Sequence, residues 1–194
     1  MTVWTRRLAR ARPWLLAALL SALVAAGAAQ ATAFDALDLD ERLLAAEDVF
    51  VGRVTSVSGE RRGDDPWTLV RFEVDVWLLR EGTPTDAGPP EVGLAFLGGQ
   101  AAGVAPRQVA GFPDFAVGER VLMATYGDDS EAASPLVGVT QGLWRDDGDT
   151  WRDEAGEALA VDAGGRPQLA ADGDPQAVWL PALVARLREL RGEP

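Results

Sequence analysis

The 194-residue chain contains no cysteine, histidine, lysine, asparagine or isoleucine. Without cysteine no disulfide forms, so the core alone must hold the fold, whatever the compartment. Without cysteine or histidine no thiolate or imidazole is present to bind zinc, copper, haem or an iron–sulfur cluster. A cysteine nucleophile and a Ser-His-Asp triad are excluded for the same reason. Lys, Asn and Ile share AT-rich codons, and a GC-rich genome accounts for their absence without a functional cause. Positive charge is scarce as well, with 18 basic residues against 30 acidic ones and a net charge of −12. Arg6, Arg7, Arg10 and Arg12 stand in the first 33 residues, which hold no acid, so the rest has 14 arginines against 30 acids, or −16. Such a surface repels phosphate backbones and argues against a nucleic-acid partner. It suits solubility, calcium or basic partners.

What is present is ordinary for a folded domain. Hydrophobic residues make up 47% and charged residues 25%, which places the chain among globular proteins rather than disordered ones. Residues 1–33 read as a secretory signal peptide: an arginine-bearing start, an apolar run from Trp14 to Ala26, and small residues that satisfy A-x-A at Ala29-Gln30-Ala31 and Ala31-Thr32-Ala33. Cleavage after Ala33 leaves Phe34 first and one domain over 34–194. The apolar run is short for a span of about 20 residues, so no stable membrane insertion is expected after cleavage. Thr5-Arg6-Arg7 hints at a twin-arginine signal, but Ala9 occupies that motif's bulky apolar position, and the general secretory route fits better. The expected location is periplasmic or extracellular.

The stretch Asp48 to Leu79 organises the rest. Two apolar-rich segments, Val49 to Val57 and Thr68 to Leu79, flank a polar turn at Gly59 to Pro66. In the second, Val70, Phe72, Val74, Val76 and Leu78 alternate with Arg71, Glu73, Asp75 and Trp77. A period of two predicts a strand with the first set inward and the second set outward. Gly52 marks a bend in the first strand. Further strands are expected at Val92 to Leu97, Val121 to Tyr126 and Leu136 to Trp144, the second of them apolar on both faces as a central strand would be. Asp38 to Glu47 predicts a short helix capped by Asp38 or Asp40, with Leu39, Leu43 and Leu44 on one side. Thr150 to Arg152 and Leu159 to Asp162 predict a C-terminal hairpin across Ala155-Gly156, followed by a loop at Gly164 to Pro175. Pro181 opens a final helix that ends at Arg191, before Gly192.

The bent, glycine-bearing first strand, the long second strand and the loop before the fourth predict a mainly β fold, a five-stranded OB-like barrel with terminal helices. Asp48 to Val54, Val70 to Trp77, Gly98-Gly99 and Phe115 to Leu122 resemble a group of small exported bacterial proteins of unknown function, over about residues 40 to 145. The barrel layout is similar, more distantly, to the netrin-like domain of tissue inhibitors of metalloproteases. Those inhibitors set an N-terminal cysteine on the protease zinc. This chain has no cysteine, so no inhibitory residue carries over.

The chemistry on offer is limited to carboxylates, loops and aromatics. Asp128-Asp129, Asp146-Asp147-Gly148-Asp149 and Asp172-Gly173-Asp174 cluster hard oxygen ligands, and Asp146, Asp147 and Asp149 are candidate calcium ligands. None of the clusters has EF-hand spacing, and acidic turns arise for conformational reasons alone. A carboxylate pair could serve a glycosidase, but thirty acids supply such pairs by chance. The glycine-rich stretch from Gly98 to Gly103 is no phosphate loop, since Pro106, Gly111 and Pro113 forbid the helix that such a loop opens. A partner-binding loop remains, with Gly98, Gly99, Gln100, Arg107, Phe112 and Phe115 as the candidate contact residues. Trp67, Trp77, Trp144 and Trp151 are either a binding patch or buried packing. The reading is an exported, non-catalytic module that binds a protein partner and needs no cofactor. The alternatives are a carboxylate-dependent hydrolase and a calcium-stabilised envelope domain.

Overall fold

A computed structural model describes residues 35–109, 111–127, 132–148, 150–170 and 180–192. The expected signal peptide with its expected cleavage site, Asp128, Asp129, Asp149 and the Asp172 to Asp174 cluster lie outside the described residues. The chain divides into two compact units, Met1–Asp35 and Ala36–Pro194, and the fold below is that of the second.

Helix α1 (Leu39–Ala45) starts at a capping box: Asp38 accepts from Glu41 N, and the Glu41 side chain accepts from Asp38 N. Both orphan donors are thereby satisfied. Leu39 and Leu43 are buried, while Leu44 is 47% exposed and does not join them. The long hairpin follows as β1 (Asp48–Arg62) and β2 (Asp65–Arg80). Its turn is only Gly63-Asp64, shorter than the expected Gly59 to Pro66, with Gly63 at a φ of 62°. Then come β3 (Thr83–Pro84), β4 (Glu91–Leu97), β5 (Arg120–Thr125), β6 (Leu143–Asp146), β7 (Trp151–Asp153), β8 (Ala158–Val161), β9 (Pro167–Ala170) and helix α2 (Leu180–Arg191).

Among the described residues nine strands form one antiparallel sheet in the order β3-β2-β1-β5-β6-β7-β8-β9, and β4 pairs with β2 as a branch. The fold is mainly β, but the sheet is not closed, which corrects the expected five-stranded barrel. The fifth strand is the reason. Gly138 and Val139 take φ values of 59° and 71° and turn the chain, so the expected strand Leu136 to Trp144 shrinks to the four residues of β6. Among the described residues no strand of useful length remains to seal β4. The 132–136 segment meets it through Leu97 N, which donates to Ala133 O at 2.8 Å.

The sheet is apolar on both faces. One cluster holds Val49, Val51, Leu78, Leu79, Leu122 and Trp144, with Leu39 and Leu43 of α1 and Leu183 and Leu187 of α2. The other holds Phe50, Val54, Phe72, Trp77, Phe96 and Met123, with Phe112 and Phe115 packed against it. Strand β5 feeds both, as a central strand does. Strand β2 also feeds both, because its period of two is broken. The pairs Gly52↔Val74 and Val51↔Val76 skip Asp75, and Phe50↔Trp77 and Val49↔Leu79 skip Leu78. Each extra residue flips the faces that follow. Trp77 therefore turns inward, 3% exposed, against the expectation that it faces outward. Its ring lies 5.2 Å from Phe50, and its Nε1 donates to Pro89 O at 2.9 Å. The 81–91 loop covers it; the C-terminal helix does not. The C-terminal hairpin, β7 and β8, belongs to the main sheet, and β9 extends it where a loop was expected.

Candidate functional site

Gly98 to Phe115 carries the candidate contact residues. It leaves β4 through two glycines. Gly98 N donates to Pro66 O, and Thr68 Oγ1 donates to Gly98 O at 3.0 Å. Gly99 has a φ of 95°, and a Cβ there would lie 2.2 Å from Thr68 Oγ1. Only glycine permits that approach. Gly99 and Arg107 then exchange both backbone bonds, at 2.7 and 3.0 Å, and close the loop as a small hairpin. The Arg107 Nη1 donates to Asp65 Oδ1 at 2.6 Å, which ties the loop to the β1–β2 tip. The loop also lies close on β1: a Cβ on Gly59 would sit 1.7 Å from Gln100 O.

The two aromatics follow. Phe115 stands edge-on to Phe72 at 5.7 Å and tilted on Phe96 at 5.2 Å. The Arg145 guanidinium lies 5.7 Å over its ring, held by Glu119, by Glu154 and by Asp114 O. Phe112 is half-buried beside it. The ends of this stretch meet. Gly98, Gly99, Gln100, Arg107, Phe112 and Phe115 all line one open cleft of about 570 Å³. Its walls also include Val57, Thr68, Phe96, Leu97 and Val109, which sequence reasoning did not single out. The inward period of β4, Val92-Leu94-Phe96, was the available signal for Phe96; nothing in the sequence tied Val57 to the loop. The cleft is the mouth of the second apolar cluster. Among the described residues Asp114 is the one acid that lines it, and no carboxylate pair is described there.

A second concavity, about 560 Å³, has acids in numbers: Asp38, Asp40, Glu157 and Asp162, with Arg166. All four are engaged, Glu157 with Arg42 Nη2 at 3.9 Å. Asp38 caps α1, and Asp162 accepts from Gly164 N and Arg166 N. Asp40 accepts from Arg186 Nε at 2.8 Å and from Arg166 Nη2 at 2.9 Å. The Arg186 hydrogen bond, with help from Arg166 and against some burial, holds the Asp40 carboxyl below the usual range. A general acid needs the opposite shift.

The calcium candidates are likewise engaged. Asp146 meets Arg120 at 3.1 Å and accepts from Gly148 N; Asp147 meets Arg152 at 2.9 Å and accepts from Thr150 N. Among the described residues no group of three or more acids is placed to hold a metal ion. Trp77, Trp144 and Trp151 are buried and Trp67 is half-buried under Arg62, so the four form no common patch. No described helix is long and apolar enough to cross a membrane.

Comparison of the chain with protein-family models, with curated proteins and with solved structures returned no match.

Proposed function

We propose that the protein is an exported, non-catalytic module that holds a protein partner in the cleft between Gly98 and Phe115. One observation carries this reading: six residues spread over eighteen positions converge on one concavity with an aromatic floor and a polar rim. Phe96, Phe112 and Phe115 supply apolar area, and Gln100, Gln108 and the Arg107–Asp65 pair supply directional contacts at the edge. That division of labour suits a protein surface. Asp114, the one acid described in the cleft, and the lowered pKa of Asp40 weigh against the hydrolase. The export half of the reading rests on the arginine start, apolar run and A-x-A sites of residues 1–33.

The test is retention of a partner from envelope and culture-medium extract of the host on immobilised protein. One protein held at near-equal stoichiometry, and lost from Gly59→Ala, which displaces the loop at Gln100 without changing any loop residue, supports the reading. No retained protein, or retention equal in the variant, contradicts it.

A further inference from the structure

The small hairpin beside the cleft is held at its base and almost nowhere else. Gly99 and Arg107 exchange both backbone bonds, and Gly98 is tied to Pro66 and Thr68. No hydrogen bond or ion pair joins Gln100 to Pro106 to the rest of the described protein. Gln100, Ala102, Gly103, Ala105 and Pro106 are exposed, and Ala101 and Val104 are half-buried. A segment with so few buried contacts and no outside bonds belongs to the low-stability end of a fold. Beyond the backbone, the base is fastened by Arg107 to Asp65, and both side chains of that pair are 50% exposed. Exposed pairs hold little. The near limb of the base is Gly98-Gly99, with φ values of 109° and 95°. Glycine there can absorb the change in backbone angle that a hinge needs.

The hairpin points away from the mouth of the cleft. Gln100 O lies on Gly59 and Gly103 lies beside Arg61, so it runs along β1 toward the β1–β2 tip. The cleft runs the other way along β2. Thr68 stands at the hairpin base, and Phe72 carries Phe115 of the far rim. Phe72 lies four residues beyond Thr68 on β2, about 13 Å along a strand. From Gly99 to its tip at Gly103 the hairpin spans the same four residues and reaches as far. Between the two rims lies Val57, paired with Val70 and 39% exposed, an apolar side chain left open to water on the cleft floor. From 101 to 106 the hairpin reads Ala-Ala-Gly-Val-Ala-Pro, without one polar side chain.

We propose that Gln100 to Pro106 is a lid, which swings on Gly98-Gly99 from the β1–β2 tip across the cleft and shuts over a bound segment. Arg107 leaves Asp65 as the lid moves, and Ala101 to Pro106 come to lie over Val57. The apolar lid then covers one side of the occupant, and the floor of Phe96 and Phe115 covers the other. Removing this apolar area from water favours the shut state. The inference rests on the cleft being the binding site, but the movement of the lid needs no occupant.

The test uses the isolated protein, so its failure is distinct from a failure to retain a partner. The chain has no cysteine, and a pair placed at two exposed positions, Ala102→Cys on the lid and Asp114→Cys on the far rim, reports closure as a disulfide. Asp114 holds Arg145 through its backbone carbonyl, which the substitution keeps. Ala102→Cys with Glu189→Cys is the control, since α2 packs against the other apolar cluster. Under copper–phenanthroline and dissolved oxygen the first pair closes within one chain at least tenfold faster than the control. Adding Asp65→Asn speeds it about two- to fivefold, the release expected of an exposed ion pair. In the unmodified protein the Ala101, Ala102 and Gly103 amides exchange at least tenfold faster than those of Gly99 and Arg107. The proposal is overturned if the 102–114 pair closes no faster than the control, if Asp65→Asn leaves its rate unchanged, or if the lid amides exchange as slowly as Gly99 and Arg107. The exchange readout can overturn it even if a cysteine variant fails to fold.

Discussion

Arg42 Nη1 lies 2.8 Å from Asp153 Oδ2, and each side chain is only 3% exposed. The pair joins α1 to β7 across 111 positions of chain. Both partners are held further: Arg42 also donates to Leu37 O and Gln141 O and stacks 5.7 Å over Trp144, while Asp153 accepts from Ala155 N and Glu157 N. Breaking a buried pair strands the surviving charge. Arg42→Met is predicted to cost about 3–5 kcal/mol in urea unfolding, a typical figure for a severed buried pair. A loss under about 1 kcal/mol, the range of exposed pairs, would show that the pair is wet.

Asp40 sets an acid limit on stability. Its folded pKa is lowered, first by the hydrogen bond from Arg186, and it is met by Arg166 as well. A depressed carboxyl contributes stability above its unfolded value of about 3.9 and loses it as pH falls through the lower folded value. Thermal melts from pH 5 to 2 should therefore show a fall in Tm that Asp40→Asn flattens. Identical slopes in the two proteins would remove Asp40 from the account.

Gly88 marks how closely the 81–91 loop packs on Trp77. A Cβ at Gly88 would stand 2.3 Å from Trp77 Nε1. Gly88→Ala must push the loop off the ring and break the Nε1–Pro89 O bond. Overpacking of this kind costs about 1–3 kcal/mol. Tryptophan fluorescence should shift to the red as Trp77 gains water, and an unshifted spectrum would refute the contact.

Calcium should not stabilise the protein through its Asp146 turn, where Arg120 and Arg152 already hold the carboxylates. A site that bound the folded state would raise Tm by mass action. Melts with millimolar calcium and with chelator should agree within about 1 °C by that relation, and a rise of several degrees would restore the calcium-stabilised alternative.

Much of the fold was legible in the sequence, and its limits have physical causes. Asp38 and Glu41 announce α1 because a capping box is local, and β5 announces itself as a run of apolar residues. Trp77 was misplaced because a bulge leaves no mark in a period-two pattern: Asp75 looks like any outward residue until its strand is paired. The shortened β6 hinges on Val139 at positive φ, a strain that its β-branched side chain disguises. Strand β9 is four residues whose partner, β8, supplies the reason for its existence. The loop residues of the cleft were readable from glycine and aromatic content, whereas their convergence depends on Gly59 admitting Gln100 and on Arg107 reaching Asp65, both contacts between distant segments.

The central claim, a protein partner in the 98–115 cleft, is tested most directly by site-specific photocrosslinking in the host. A benzophenone side chain replaces Gln100 on the cleft rim in one variant and Glu189, on the exposed face of α2, in another. The account predicts one discrete adduct from position 100 and none from position 189. No adduct from position 100, or the same adduct from both, would contradict it.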